Sequence, residues 1–311
     1  MPAPAIAVIG PTASWKSGLG IALARAFQGE IVGCDALQIY RGMDIGTAKI
    51  LLAEREDIPH HMLDVAEPGR EFSAGDYQRQ ARISIRETSS RNRLPIVVGG
   101  SGFYLRALIE GLFEGPERSE ELRARMRTVI QRRGSNTLHR ALSRIDSESA
   151  VRIAPNDADR IIRAYEIYLI SGKNMTWWQE QPRDVFTGFR WLKIGINWPR
   201  ELLYQRINMR VEKMFSDGLL EETRNLLESY PPTCPAFKAI GYRQAAEHLA
   251  GQISLDQAME STQMESRRYA KRQLTWFRAD REILWLSADD GEESLIHSAT
   301  TAVRNFLTSF A

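Results

Sequence analysis

Lys16 and Ser17 close a segment, Gly10-Pro-Thr-Ala-Ser-Trp-Lys-Ser17, that comes close to a phosphate-binding loop. In the pattern G-x-x-x-x-G-K-[ST], backbone N–H groups cradle phosphate oxygens, the lysine adds a point charge and the hydroxyl reaches a magnesium ion. Gly10, Lys16 and Ser17 fit, but Trp15 stands where glycine's backbone freedom and close approach to an anion are wanted. Alone, the segment reads equally as an ordinary strand–turn–helix. Asp35 ends the next apolar run, Glu30-Ile-Val-Gly-Cys-Asp35. A carboxylate facing such a loop can take a proton from an attacking hydroxyl or amine while phosphate is held; it also suits a turn or helix cap. Arg206 and Arg210, four apart on one predicted helix, suit a cation clamp on a pyrophosphate or ion pairs with Glu201 or Glu212. Asn156-Asp-Ala-Asp159-Arg160-Ile-Ile-Arg163 opens a helix whose two arginines share a face, for an anionic partner or for solvent. The most basic window, Arg267 to Arg278, interleaves Tyr269, Trp276 and Phe277, a pattern for phosphate contact with base stacking and equally for a helix core. His60 and His61 are adjacent, which is poor spacing for one metal.

These groups need elements to position them. Ala5–Ile9 reads as a buried strand, and Lys16 to Phe27 then carries apolar residues at helical spacing. Strands follow at 30–35, 94–100, 191–198 and 282–286, with helices at 73–90, through 104–108, at 200–215, 218–229, from 241 and over 254–277. Ser73 with Asp76 predicts a capped helix start. The stretch from Tyr40 to Asp64 reads as loop. Alternating buried strands and helices predict a parallel sheet covered on both faces, whose loops converge on one edge and bring Gly10–Ser17, Asp35 and Ser101 together. After Gly115-Pro116 only helical patterns occur, at 121–133, 138–144 and 158–170, which predicts an inserted helical lobe.

With 311 residues, 43% of them hydrophobic, the chain can bury a large core. A net charge of +2 gives no global field for nucleic acid, although most of the cations are arginine, the better fork for phosphates. Cys34 and Cys234 stand far apart without partners at metal spacing, so the expected setting is reducing and cytoplasmic. No apolar stretch approaches the roughly 20 residues of a membrane span, and the first residues lack a signal-peptide pattern.

In order along the chain stand Gly10-Pro-Thr-Ala-Ser, Asp35-Ala-Leu-Gln38-Ile-Tyr40-Arg-Gly-Met-Asp-Ile-Gly-Thr-Ala-Lys49, Pro59-His-His61, Val98-Gly-Gly-Ser101-Gly, Pro155-Asn-Asp157, Ala239-Ile-Gly-Tyr242 and Arg268-Tyr-Ala-Lys-Arg-Gln-Leu-Thr-Trp-Phe277. Together, from about Ile6 to Trp285, they resemble the tRNA dimethylallyltransferase family. The resemblance implies an α/β fold: a P-loop kinase-like parallel-sheet core, residues 1–116 and 187–311, with a helical insertion, 117–186, that grips the tRNA anticodon stem-loop. It implies transfer of a dimethylallyl group from dimethylallyl diphosphate to the N6 amine of the adenosine 3′ of the anticodon, with release of diphosphate.

Carried over residue by residue, the resemblance makes Asp35 the base. Gly10, Pro11, Thr12, Ala13, Ser14, Trp15, Lys16 and Ser17 would hold the diphosphate, Ser17 beside Mg2+, and Lys16 and Arg210 would neutralise the leaving group. Asp35, Ala36, Leu37, Gln38, Ser101, Arg123, Asp159, Arg160, Ile161, Ile162 and Arg163 match positions that contact tRNA. A cytoplasmic monomer without membrane or obligate protein partner is expected. Four residues depart from the family pattern: Trp15 for glycine, Ala36 for serine, Ser101 for threonine and Asp159 for glutamine. Trp15 is expected to narrow the diphosphate channel or change the loop, lowering activity; the effect of Asp159 depends on whether Arg160 or Arg163 neutralises it. An adenylate prenyltransferase, a small-molecule kinase and a catalytically impaired RNA-binding homologue stay open as alternatives.

Overall fold

An apolar run without polar alternation belongs in a strand buried on both faces. In the computed structural model, which describes residues 2–310, that run lies in β1 (Ala3–Ile9), followed by α1 (Lys16–Ala26) and β2 (Gly29–Cys34). Next come β3 (His60–His61), α2 (Ala74–Ser90), β4 (Leu94–Gly99) and α3 (Gly102–Glu110). The sheet order is β3-β2-β4-β1, continued by β5 (Phe189–Asn197) and β6 (Ile283–Ser287), with every pairing parallel. β3, two residues at the sheet edge, falls where the sequence reads as loop; a pair that short carries no periodicity to find.

Register places the site. Ile9 pairs with Gly99 on one side and Gly195 on the other, and Cys34 also pairs with Gly99. The carboxyl ends of β1, β2 and β4 are therefore level, and the loops beginning at Gly10, Asp35 and Gly100 leave the same edge. The chain leaves β1 for β2, beyond β4, and later returns to its other flank as β5, a change of direction that opens a crevice at that edge. Alternate β1 residues face opposite cores. Ile6 and Val8 pack with Leu19 and Leu23 of α1 and with Leu295 and Val303; Ala7 and Ile9 pack with Tyr77, Ile85, Leu108 and Phe277. Each fully buried aliphatic side chain of this kind is worth about 1.5–3 kcal/mol.

Two compact units result: Met1–Ile109 with Phe186–Ala311, and Glu110–Val185. The second unit is all helix: α4 (Glu120–Arg133), α5 (Ser135–Ile145), α6 (Ser147–Arg152), α7 (Ala158–Ser171) and α8 (Met175–Glu180). Its helix starts are capped by Ser119, Asp146, Asp157 and Asn174, and Leu142, Ile153, Ile161 and Tyr165 form its core. The six-residue α6 and α8, less than two turns each, escape a periodicity reading. The first unit continues with α9 (Arg200–Ser216), α10 (Leu219–Ser229), α11 (Tyr242–Leu249), α12 (Leu255–Arg278) and α13 (Glu292–Thr308), the last covering the α1 face of the sheet. The Ser73–Asp76 cap forms reciprocally at the start of α2. Among the described residues no helix is long and apolar enough to cross a membrane.

Candidate active site

Between Ile9 and Lys16 the chain turns back over the end of the sheet. Ala13 (φ 61°) and Trp15 (φ 67°) are both left-handed and flank Ser14, whose φ is not positive; such alternation points successive N–H groups into one concavity. Among the described residues, the N–H groups of residues 13–18 have no protein acceptor. They are free to meet an anion at the positive end of α1. The carbonyls of the loop are tied off behind it. Ser14 Oγ donates to Pro11 O at 2.8 Å, Trp198 Nε1 to Ser14 O at 3.1 Å and Arg206 Nε to Ala13 O at 3.1 Å. Thr12 N donates to Gln273 Oε1 at 2.8 Å, and Gln273 Nε2 donates to Gly100 O at 2.9 Å, so one buried amide of α12 joins the loops after β1 and β4. A Cβ at Gly100 would stand 2.3 Å from that Nε2.

Trp15 adopts the left-handed backbone for which glycine is usual, at a cost of about 1–2 kcal/mol for a residue with a Cβ. Gly18 accommodates the indole: a Cβ there would lie 2.3 Å from Trp15 Cε2, so the ring rests on the first turn of α1.

A cavity of about 430 Å³ opens in front of the loop, bounded also by Asp35, Gln38, Thr47, Arg206, Arg210 and Tyr269. Lys16 Nζ folds back onto Pro11 O at 2.5 Å; burial and the nearby Arg210 lower its pKa to about 7, against the opposing pull of Asp35. Arg210 Nη2 donates to Thr47 O at 2.9 Å, and burial depresses its pKa too. It has no carboxylate within ion-pairing distance among the described residues, so neither Glu201 nor Glu212 is its partner. Arg206 differs, pairing with Glu292 at 3.0 Å and lying 4.4 Å over the Trp198 ring. Two half-buried cations thus face an N–H cradle, with Asp35 the carboxylate of the cavity but beyond ion-pairing distance of either, an arrangement whose electrostatics favour a polyanion.

Asp35 Oδ1 accepts from Leu37 N at 2.9 Å and Gln38 N at 3.4 Å, which fixes the carboxylate. Ser101 Oγ accepts from Ala36 N at 3.1 Å, joining the loops after β2 and β4. Gln38 Nε2 donates to Thr47 O at 3.2 Å and Ala48 O at 3.3 Å. Beyond Asp35 and Arg210 a further cavity of about 300 Å³ is lined by Ala36, Leu37, Lys238, Tyr269 and Arg272. Asp35 therefore stands between the cradle and a second opening.

In the basic window, Tyr269 lines both cavities, Phe277 is core, and Trp276 is exposed with Arg106 4.8 Å over its ring. The motif from Tyr40 to Lys49 is a brace. Buried Lys49 reaches Asp44 and Asp64, each at 2.6 Å, and Glu222 accepts the N–H groups of Asp44, Ile45 and Gly46. His61 pairs with buried Glu30 at 2.7 Å and His60 binds Ile58 O at 2.8 Å. Among the described residues no three His, Cys, Asp or Glu gather as metal ligands. Among the described residues the Ser17 hydroxyl has no hydrogen-bond partner, and it lines the same cavity as Asp35, oxygen donors of the kind a hard cation takes.

In the helical unit, Ile161 (0% exposed) and Ile162 (1%) have buried side chains, because the apolar spacing of α7 turns them inward. Arg123 is buried too, pairing with fully buried Glu166 at 3.3 Å, and Arg163 meets the same carboxylate at 2.5 Å. Asp159 and Arg160 are exposed. Neither Arg160 nor Arg163 neutralises Asp159: Arg160 pairs with Asp157 at 3.4 Å, and it is Arg123 that comes within 4.0 Å of Asp159. Gln273, Trp198 and Glu222 were not singled out from sequence; each acts across long separations, 261 residues for Gln273 to Thr12.

Residues 38–280 match the model of a family described as IPP transferase. A curated tRNA dimethylallyltransferase of Koribacter versatilis is 48% identical over 297 residues, covering 96% of this chain and 97% of its own. One from Solibacter usitatus is 45% identical over 305 residues, covering 98% and 99%. Among solved structures, the tRNA isopentenylpyrophosphate transferase of Bacillus halodurans is similar with TM-score 0.74 and 35% identity, over 99% of this chain and 98% of that one. A eukaryotic dimethylallyltransferase described as acting on tRNA gives TM-score 0.75 and 27% identity, over 93% and 74%.

Proposed function

The chain belongs to the IPP transferase family of tRNA dimethylallyltransferases, and on that premise we propose that it moves a dimethylallyl group from dimethylallyl diphosphate to the N6 amine of the tRNA adenosine immediately 3′ of the anticodon. The observation that carries this reading is a single cavity holding both an unfilled N–H cradle with two unpaired cations and a fixed carboxylate. The cradle of residues 13–18 and Lys16 hold the diphosphate, and Arg210 closes on it. The N6 lone pair attacks C1 of the donor, the C1–O bond breaks, and its electron pair leaves with the diphosphate. Asp35 accepts the amine proton. Charge develops on the leaving oxygen, where preorganised donors and cations lower the barrier most. Mg2+, held by the diphosphate with the Ser17 hydroxyl, would add charge neutralisation there.

Asp35, Ala36, Leu37, Gln38 and Ser101 take the acceptor base, which is extruded from its stack to enter. In the helical unit, Asp159 and Arg160 offer exposed polar contacts. Arg132, Arg133, Arg140 and Arg144 are exposed with no carboxylate partner among the described residues, which supports a role in gripping the anticodon stem-loop through its phosphates. Two buried unpaired cysteines suit the cytoplasm; action as a monomer belongs to the same proposal.

A single-turnover assay with dimethylallyl diphosphate and an unmodified anticodon stem-loop tests the reading. The expected product is RNA heavier by one prenyl group at that adenosine. Transfer to free AMP in preference to RNA, or RNA binding without transfer, would replace the reading with one of the alternatives.

A further inference from the structure

We propose that Trp15 sets the upper length of the prenyl donor by closing the diphosphate cavity off from a second, partly apolar cavity; the inference rests on the prenyl-transfer reading above. That second cavity, about 590 Å³, has an apolar wall of Ile21, Ile45, Ile50, Leu51, Met214 and Ile296, while eight of its nineteen lining residues are charged. It shares Trp15, Ser17, Gly18, Ala48 and Arg210 with the 430 Å³ cavity, and Asp35 is not among its lining residues. It therefore adjoins the cradle on a side away from the attacking amine.

A donor anchored by its diphosphate places C1 toward Asp35, and five carbons have room beside Met209, Val98 and Ala48. Each added isoprene unit brings five more carbons that need apolar surroundings. The acceptor base takes the opening beyond Asp35, so of the three cavities described the second is the one left for a longer chain. Of the five shared residues, Trp15 has the largest side chain. Its ring is seated on Gly18, where there is no Cβ to lift it, and it packs against the sheet core with Ile21 and Leu19. A ring held in this way is a fixed partition.

The test compares dimethylallyl and geranyl diphosphate as donors, by kcat/KM with the anticodon stem-loop and by calorimetric binding, for the natural chain, Trp15→Phe and Trp15→Gly. The natural chain should strongly prefer the five-carbon donor. Trp15→Gly should raise the geranyl-to-dimethylallyl ratio by about tenfold or more, the discrimination a small misfit gives in an apolar pocket, with Trp15→Phe between. Glycine also relieves the left-handed backbone, so that variant is expected to fold. An unchanged ratio in Trp15→Gly, or equal use of both donors by the natural chain, overturns the proposal. Failure of the natural chain to transfer dimethylallyl at all would count against the function reading instead, and the ratio of binding constants would then decide this one.

Discussion

The cradle and the core of the helical unit both bring arginine or lysine into buried surroundings, and they treat the charge in opposite ways. Around Glu166 both cations have a carboxylate: Arg123 and Arg163 share it, and Ser119 N donates to its other oxygen at 2.7 Å, although Arg123 Nε has no hydrogen-bond partner among the described residues. Around the loop, Lys16 and Arg210 rest on backbone carbonyls and oppose one another. A buried pair completed within the protein is architecture, whereas half-buried cations without an ion-pair partner favour an anionic ligand. Arginine alone in a sequence does not tell the two apart. The partner does.

That contrast can be broken from either side. The largest effect is expected at Asp35→Ala: single-turnover transfer should fall by about 10²–10⁴-fold, the usual share of a general base, while calorimetry still finds the diphosphate bound. Equal loss of binding would make Asp35 part of the cradle. Glu166→Ala should strip buried Arg123 and half-buried Arg163 of their shared carboxylate, leaving only exposed Asp159 at 4.0 Å from Arg123, and destabilise the helical unit by about 3–5 kcal/mol in urea unfolding. If stability holds, Arg123 and Arg163 are not architectural and return as RNA contacts.

The Lys16 ammonium gives a pH test whose sign is fixed. With its pKa lowered to about 7 in the empty site, Lys16 is charged below that pH and must take up a proton to meet an anion above it. Affinity for dimethylallyl diphosphate should therefore be flat in lysine charge below pH 7. It should fall by up to about tenfold per unit as pH rises from 7 toward the ordinary lysine value, with proton uptake visible as buffer-dependent binding heat. Lys16→Met should flatten that slope. Trp15→Gly is expected to have the smallest effect, stabilising the fold by about 1 kcal/mol in thermal unfolding as the left-handed strain is relieved. Destabilisation there would show that indole packing on Gly18 outweighs the strain.

The centre of the sheet was legible in sequence because β1 and β4 are apolar runs that end at glycine and β2 is a largely apolar run that ends before Asp35, and the register then brings Gly10–Ser17, Asp35 and Ser101 to one edge. Legibility failed where burial depends on another element. Arg163 reads as facing solvent or an anionic partner and Arg123 as a tRNA contact through the resemblance, yet Glu166 carried a signal: it lies four residues after Ile162 on the apolar side of α7, where a carboxylate needs a cation. Gln273 gave less warning, since the loop amide it satisfies belongs to the opposite end of the chain. Trp15 was visible as a misfit; that Gly18 makes room for it required coordinates.

The amide bridge from Gln273 also has a consequence in time. Ribosomes add about 5–20 residues per second, so the 261 residues between Thr12 and Gln273 separate the emergence of the loop from that of its brace by roughly 13–52 seconds. β1 likewise waits for Phe189–Asn197 before both its edges are paired. During that interval the nascent chain carries the loop without its tertiary support, and the finished cradle depends on a helix made long after the strand that it braces.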